Sequence, residues 1–259
     1  MSFFKDRAAL GVMALLAVGT IGGAFALMNA AFAEPESAGG NLSKKQIERI
    51  VHEYIVNHPE VLVEAMEKLQ SREEDDKRKK AQENISKLGD KLFNNAADHV
   101  TGNPSGDVTI VEFFDYRCGY CKKARPEVLA LLKADPKIRL VVKEFPILGK
   151  TSETASRAAL AAKKQGKYWD FHLALIKEAD LNETRIFELA AANGIDVTRM
   201  KTDMQATDVT KVIDTNHELA QKIGVDSTPS FIFGKELVAG AMSLEQMKDQ
   251  VAKARKAAQ

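Results

Sequence analysis

An α/β fold is predicted, with an all-helical region in front of it. Val108–Phe114 reads as a buried strand that runs into a helical stretch at residues 122–132, and Ile138–Glu144 follows as a second strand. Residues 228–233 and 237–240 read as a strand pair around Gly234-Lys235. A last helix starts at Ser243, with Gln246 as its capping partner. Between the two strand groups, residues 151 to about 223 are helical, punctuated by Gly166, Asn182, Gly194 and Asp208. The order is therefore β-α-β, a helical block, then β-β-α. Residues 94–107, with Gly102, Pro104 and Gly106, read as the loop leading in.

The front region has its own logic. Ser43 and Gln46 form a capping box, and Ile47, Ile50, Val51, Tyr54 and Ile55 make one apolar helix stripe. Asn57-His58-Pro59 breaks that helix, because the residue before proline avoids the helical region. Pro59 suits the first turn of a second short helix bearing Leu62, Val63, Met66 and Leu69. Residues 71–80 then carry four acid-first pairs at i,i+4: Glu73/Lys77, Glu74/Arg78, Asp75/Lys79 and Asp76/Lys80. At about 0.2–0.5 kcal/mol each, they could hold a solvated helix, either an ordinary exposed one or a lever between two parts. Two short helices cannot bury both apolar stripes on each other. The main domain or another chain must cover them.

The chain's beginning and its composition bound the setting. Lys5 and Arg7 precede an uncharged stretch, residues 8–33, and Ala31-Phe32-Ala33 fits an A-x-A cleavage site. Residues 1–33 are read as a signal peptide, with the mature chain starting at Glu34. The minority alternative is an uncleaved membrane anchor, since about 20 apolar residues span a bilayer. Either way the basic end stays cytoplasmic and the rest crosses, so the expected location is the periplasm. Lys and Arg number 37 against 36 Asp and Glu, which leaves no large electrostatic pull on nucleic acid.

The chain has two cysteines, three apart in Arg117-Cys118-Gly119-Tyr120-Cys121-Lys122. No third cysteine is available for a structural disulfide, so all redox chemistry passes through this pair. A Cys-x-x-Cys where a strand enters a helix is the working end of thioredoxin-like enzymes. Cys118 falls at the helix start, where N–H groups and the helix dipole favour a thiolate, and its side chain is expected to be exposed to partners. Cys121 lies one turn inside and is expected to be the buried resolving thiol. The five histidines show no metal-ligand spacing, and His172 beside Phe171 and Trp169 reads as packing.

Glu112 through Lys122, with Thr228-Pro229-Ser230-Phe231 downstream, resembles the DsbA-like family of thiol–disulfide oxidoreductases. Residues 42–50 and 57–66 are similar to the N-terminal region of the suppressor of copper sensitivity protein C (ScsC) group. The resemblance implies a thioredoxin fold with an inserted helical domain at about 150–223, within a catalytic domain spanning 98–259. It also implies an N-terminal helical oligomerisation region and linker helix at 34–97. In that family the front region can trimerise the protein, so a homo-oligomer, with a trimer favoured, is expected.

The site residues follow from the same resemblance. Cys118 attacks a substrate disulfide through a mixed disulfide and Cys121 resolves it. Pro229, after Thr228, matches the cis-proline that faces the pair, a turn to which an extended substrate can add as a strand. Glu112 matches a buried acid that relays the Cys121 proton, although alternation along the strand leaves open an outward orientation. Gly119 and Tyr120 tune the thiolate; they stand where DsbA has proline and histidine, a departure that weakens the expectation of strong oxidase behaviour.

Three activities fit. The first is a periplasmic isomerase or reductase of exported disulfide proteins, kept reduced by a membrane thiol reductase. The second is a monomeric DsbA-like oxidase. The third is a copper-tolerance protein holding Cu(I) between Cys118 and Cys121, because thiolates are soft ligands. No cofactor beyond the redox-active pair is expected.

Overall fold

The computed structural model describes residues 42–258, so the signal-peptide reading of residues 1–33 lies outside it. The described residues fall into two units, divided between His58 and Pro59.

In the first unit, α1 (Lys44–Asn57) opens with the expected capping box. The Ser43 Oγ accepts from the Gln46 N–H at 3.4 Å, and the Gln46 Oε1 accepts from the Ser43 N–H at 2.9 Å. No residue of α1 is buried, and Ile47, Ile50, Val51 and Tyr54 are each about half exposed.

The second unit begins with α2 (Glu60–Lys87), which corrects two expectations. The helix bearing Leu62 to Leu69 is not short; it continues without a break through the charged run for 28 residues. The four i,i+4 pairs do not form. Arg78 turns to Asp75, three residues away, at 2.6 Å, and Glu74 accepts from the Gln70 amide. This run holds its helical form without the expected ladder, because its C-terminal end is anchored. Ile85 is fully buried, the Asn84 amide donates to the Lys222 carbonyl at 2.6 Å, and the Gln82 amide donates to Glu236 at 2.8 Å. Upstream, Leu62, Val63, Met66 and Leu69 are all at least half exposed.

After α3 (Gly89–Phe93), the chain enters a five-stranded mixed sheet. Its strands are β1 (His99–Gly102), β2 (Val108–Phe114), β3 (Ile138–Glu144), β4 (Ser230–Phe233) and β5 (Glu236–Ala239), in the order β1-β3-β2-β4-β5. The β2 and β3 strands are parallel, joined through α4 (Gly119–Ala134); every other pairing is antiparallel. β1 falls where the sequence predicts a loop. It is a four-residue edge strand, too short to show alternation, and it stops at Gly102, whose φ is +74° and where a Cβ would lie 2.5 Å from the Ile138 carbonyl oxygen, which excludes a side chain. The buried Lys143 fastens the approach to β1 by bonding Asp98 and the Lys91 carbonyl.

The helical block between β3 and β4 comprises α5 (Lys150–Lys163), α6 (Tyr168–Lys177), α7 (Glu183–Ala192), α8 (Val197–Asp203) and α9 (Thr207–Ile223), and α10 (Leu244–Ala257) closes the chain. Helices cover both faces of the sheet. Ile110 and Phe114 pack into a core shared with α4, α5, α6 and α10, while Val111 and Phe113 pack on the other face with Ile85, Leu92, Leu219 and Ile223. Burial on both faces explains why β2 reads as a nearly continuous apolar run. The whole is a thioredoxin-like fold with a helical insertion. No helix among the described residues is long and apolar enough to cross a membrane.

Ile85→Ala should lower the unfolding free energy by about 2–5 kcal/mol, the range for emptying a buried site, as measured by denaturant titration. Glu83→Ala, on the exposed side of the same turn, should change it by less than about 0.5 kcal/mol.

Candidate active site

β2 ends at Phe114, and Asp115-Tyr116-Arg117 turn the chain into α4, with Cys118 as the N-cap residue. The Cys121 N–H points at the Cys118 Sγ, at 3.4 Å. Both cysteines are free thiols. Cys121 is fully buried, as expected. Cys118 corrects its expectation: only 7% of it is exposed. The reason is the loop that enters β4. Its Thr228 carbonyl accepts from the Cys118 thiol at 3.1 Å, so the sulfur is roofed and not presented freely. The Thr228–Pro229 peptide is cis, and Pro229 is buried. Gly119 faces open space, and Tyr120 is 67% exposed with no hydrogen bond to either cysteine among the described residues.

Glu112 points inward. It shares the face of Ile110 and Phe114 toward α4, where its Oε1 accepts from Arg125 Nη2 at 3.0 Å. Both side chains are buried, and the guanidinium also lies about 6 Å from the rings of Phe114 and Trp169. Burial pushes the Glu112 carboxyl above the usual range, against the opposing pull of Arg125. The Cys121 thiol is pushed well up, first by burial and then by the negative charge of Glu112, while a backbone hydrogen bond from Asp115 opposes the shift. Arg125 escaped sequence reading, although its position four residues after Cys121 puts both on one helix face.

A second buried cluster lies at the end of β3. Glu144 Oε1 accepts from the Tyr116 hydroxyl at 2.9 Å and the Tyr168 hydroxyl at 2.7 Å. The Tyr116 oxygen also meets His172 Nδ1 at 3.0 Å, and His172 stacks on Trp169 and Tyr168. Glu144 Oε2 and the Ser156 hydroxyl are buried beside each other without further partners. Burial pushes the Glu144 carboxyl up to about 8, against the opposing pull of the Tyr168, Ser156 and Tyr116 hydroxyls. His172 thus belongs to a polar network as well as to packing. Among the described residues, no group of three or more His, Cys, Asp or Glu is arranged to hold a metal.

The Glu144 shift fixes a sign. A carboxyl whose folded value is raised holds a proton in the folded chain that the unfolded chain has released. The Glu144 contribution to stability should therefore fall as pH rises from about 5 to 8, by up to about 1.4 kcal/mol per pH unit, and level off above. Asp98 and Glu112 shift the same way, while His99 and His172, held neutral by burial, act with the opposite sign below 6.5, so the discriminating quantity is the difference between wild type and variant. Glu144→Gln should flatten this slope in denaturant titrations between pH 5 and 8.

Comparison with known proteins matches this geometry. A thioredoxin family model covers residues 94–253, and the model described as copper resistance protein ScsC N-terminal domain covers residues 44–75. A thioredoxin-like oxidoreductase from Silicibacter pomeroyi DSS-3 is 49% identical with a TM-score of 0.64, covering 64% of this chain and 97% of that one. The catalytic domain of Proteus mirabilis ScsC is 25% identical with a TM-score of 0.63, covering 68% and 98%. The probable disulfide bond formation protein D of Bacillus cereus is 26% identical over 55% of this chain and 72% of that one. The first curated relatives are Na(+)/H(+) antiporters NhaA of Salinispora species, and the chain spans about a quarter of their length. With a strand–turn–helix Cys-x-x-Cys under a proline loop, and a family model over residues 94–253, the chain belongs to the thioredoxin family.

Proposed function

We propose that this protein is a periplasmic disulfide isomerase and reductase that acts on exported proteins as a homo-oligomer, with a trimer favoured. One observation carries the reading. The apolar stripes of α1 and of the first half of α2 stand exposed, and both fall in the segment that matches the ScsC N-terminal model. Copies of the same stripe are its natural cover, since lone apolar side chains are unremarkable on a surface but a continuous stripe is not. An assembly of this kind turns several sites toward one substrate.

The chemistry runs through Cys118 and Cys121. The Cys118 thiolate attacks a substrate disulfide; its sulfur bonds to one substrate sulfur, the substrate S–S bond breaks, and the other sulfur leaves as a thiolate. That thiolate can attack a different disulfide, and a final substrate thiolate then displaces Cys118 in its original reduced form, which completes isomerisation. Alternatively Cys121 attacks Cys118, releases a reduced substrate and forms the Cys118–Cys121 disulfide, which a membrane thiol reductase must reduce again. Cys121 must lose its proton first, and Glu112 is the acceptor we assign. The Thr228 carbonyl, already a hydrogen-bond partner of the Cys118 thiol, would give way to a substrate backbone aligned along the Pro229 loop. Gly119 leaves room for that substrate, and Tyr120 flanks it.

Two other readings are outcomes of the same experiment. In the oxidase reading, a monomer starts from the oxidised pair. In the copper reading, the two thiolates hold Cu(I), a choice their softness supports. The mature chain, residues 34–259, is assayed for recovery of a scrambled-disulfide protein, beside a chain lacking residues 34–80. Isomerase function predicts an oligomer by light scattering and a loss of about tenfold or more in recovery on deletion. A monomer whose recovery ignores the deletion would sink this reading, and rapid oxidation of a reduced peptide would put the oxidase in its place. Tight Cu(I) uptake without recovery activity would favour copper handling.

A further inference from the structure

Asp115 takes no part in these exchange steps, yet four donors converge on its fully buried carboxylate. Oδ1 accepts from the Arg117 N–H and from the Ser152 hydroxyl, both at 2.7 Å. Oδ2 accepts from the N–H groups of Ile147 at 2.8 Å and Leu148 at 3.0 Å. The main chain of the same residue reaches the turn of the cysteine pair. Its carbonyl accepts from the Cys118 N–H at 3.2 Å, and Cys121 in turn donates its N–H to the Cys118 sulfur. Asp115 is thus a junction between the turn that carries the pair and residues 146–149, the loop after β3.

That loop is unusual in what it shows to solvent. Ile147 is 37% exposed and Leu148 is 42% exposed, although both backbones are held from below. The Arg117 guanidinium adds a bond to the Leu148 carbonyl at 2.9 Å, which keeps Leu148 next to the residue before Cys118. Two residues past Cys118 in the chain, the ring of Tyr120 is exposed. Exposed apolar surface is thus offered both by the loop bonded to Arg117 and by Tyr120, and the loop is tied down by a buried carboxylate. Hydrogen bonds to an ionised acceptor are about twice as strong as neutral ones, so this tie is firm.

We propose that Asp115 is a positioning residue for polypeptide substrates. It holds the 146–149 loop against the Cys118 turn so that Ile147 and Leu148 face Tyr120 across the thiol as an apolar rim. The rim takes an extended chain with an apolar side chain near its cysteine. A small polar disulfide has nothing to place there. The inference rests on the reading of exported proteins as substrates.

Asp115→Asn tests it at nearly constant volume. One end of an asparagine side chain is an NH2 group, which cannot accept. Turned toward Oδ2's place it faces two backbone N–H groups, and turned toward Oδ1's place it faces that of Arg117. The mature chain and its variants are assayed with a disulfide-bonded polypeptide bearing an apolar residue beside its cysteine, and with bis(2-hydroxyethyl) disulfide. Asp115→Asn should raise KM for the polypeptide about tenfold with kcat within about threefold, and leave the small-disulfide rate within about threefold. Ser152→Ala, which removes one donor and keeps the carboxylate, should raise KM in the same direction by about threefold. In a Leu148→Ser background, Asp115→Asn should add less than about twofold, because the two changes act through one contact.

Equal losses on both substrates, an unchanged KM, or full additivity with Leu148→Ser would overturn the proposal. Should Asp115→Asn fail to fold, Ser152→Ala decides alone, and an unchanged KM there overturns it. A wild-type chain that turns over the small disulfide but not the polypeptide would overturn the substrate reading instead.

Discussion

The ion pair between Glu112 and Arg125 is the interaction around which the site is built. β2 is buried on both faces, and a lone charge there would cost several kcal/mol. The charge is tolerable because α4 brings its opposite to 3.0 Å. Only one placement of α4 along β2 does this. The pair therefore fixes how far the first turn of α4 stands from the end of the strand, and Cys118 and Cys121 occupy that turn. Removing either partner would strand the other charge in the core, just beneath the thiols.

Three buried carboxylates near the pair show three answers to the same penalty. Glu112 meets a full positive charge. Asp115 meets four uncharged donors, two of them from a loop that would otherwise be free. Glu144 meets two phenols and is pushed toward its neutral acid. Each answer binds a different pair of elements: strand to helix, turn to loop, and β3 to the helical insertion. The active-site region is held by side-chain chemistry of this kind as much as by apolar packing, which explains why a fold with no structural disulfide can leave its one cysteine pair for exchange.

Much of this was legible in the sequence. The long strands, both capping boxes and the strand–turn–helix setting of the cysteines are local signals, carried by residues close together in the chain. β1 was not legible, because four residues containing a terminal glycine carry no alternation. Apart from the Arg117 N–H, the partners of Glu112, Asp115 and Glu144 lie 13 to 37 residues away, and nothing local marks Arg125 or Ser152 as buried. The roofing of Cys118 by Thr228 spans 110 residues and depends on how β4 lies beside β2. The charged run misled in a different way. Its acid-first spacing permitted i,i+4 pairs, but long exposed side chains gain little from closing them.

The unbroken course of α2 turns a composition into a length. At 1.5 Å per residue, the stretch from Leu62 to Ile85 measures about 35 Å, near the diameter of a small domain. A coil of as many residues would hold no particular distance; its ends would wander and often meet. A helix anchored at Ile85 acts instead as a ruler, keeping the apolar stripe at a set distance from the surface where the helix docks. Inserting or deleting residues in the charged run would then do more than change reach. Each residue turns the stripe by about 100° about the helix axis, so the direction it faces is encoded by the residue count.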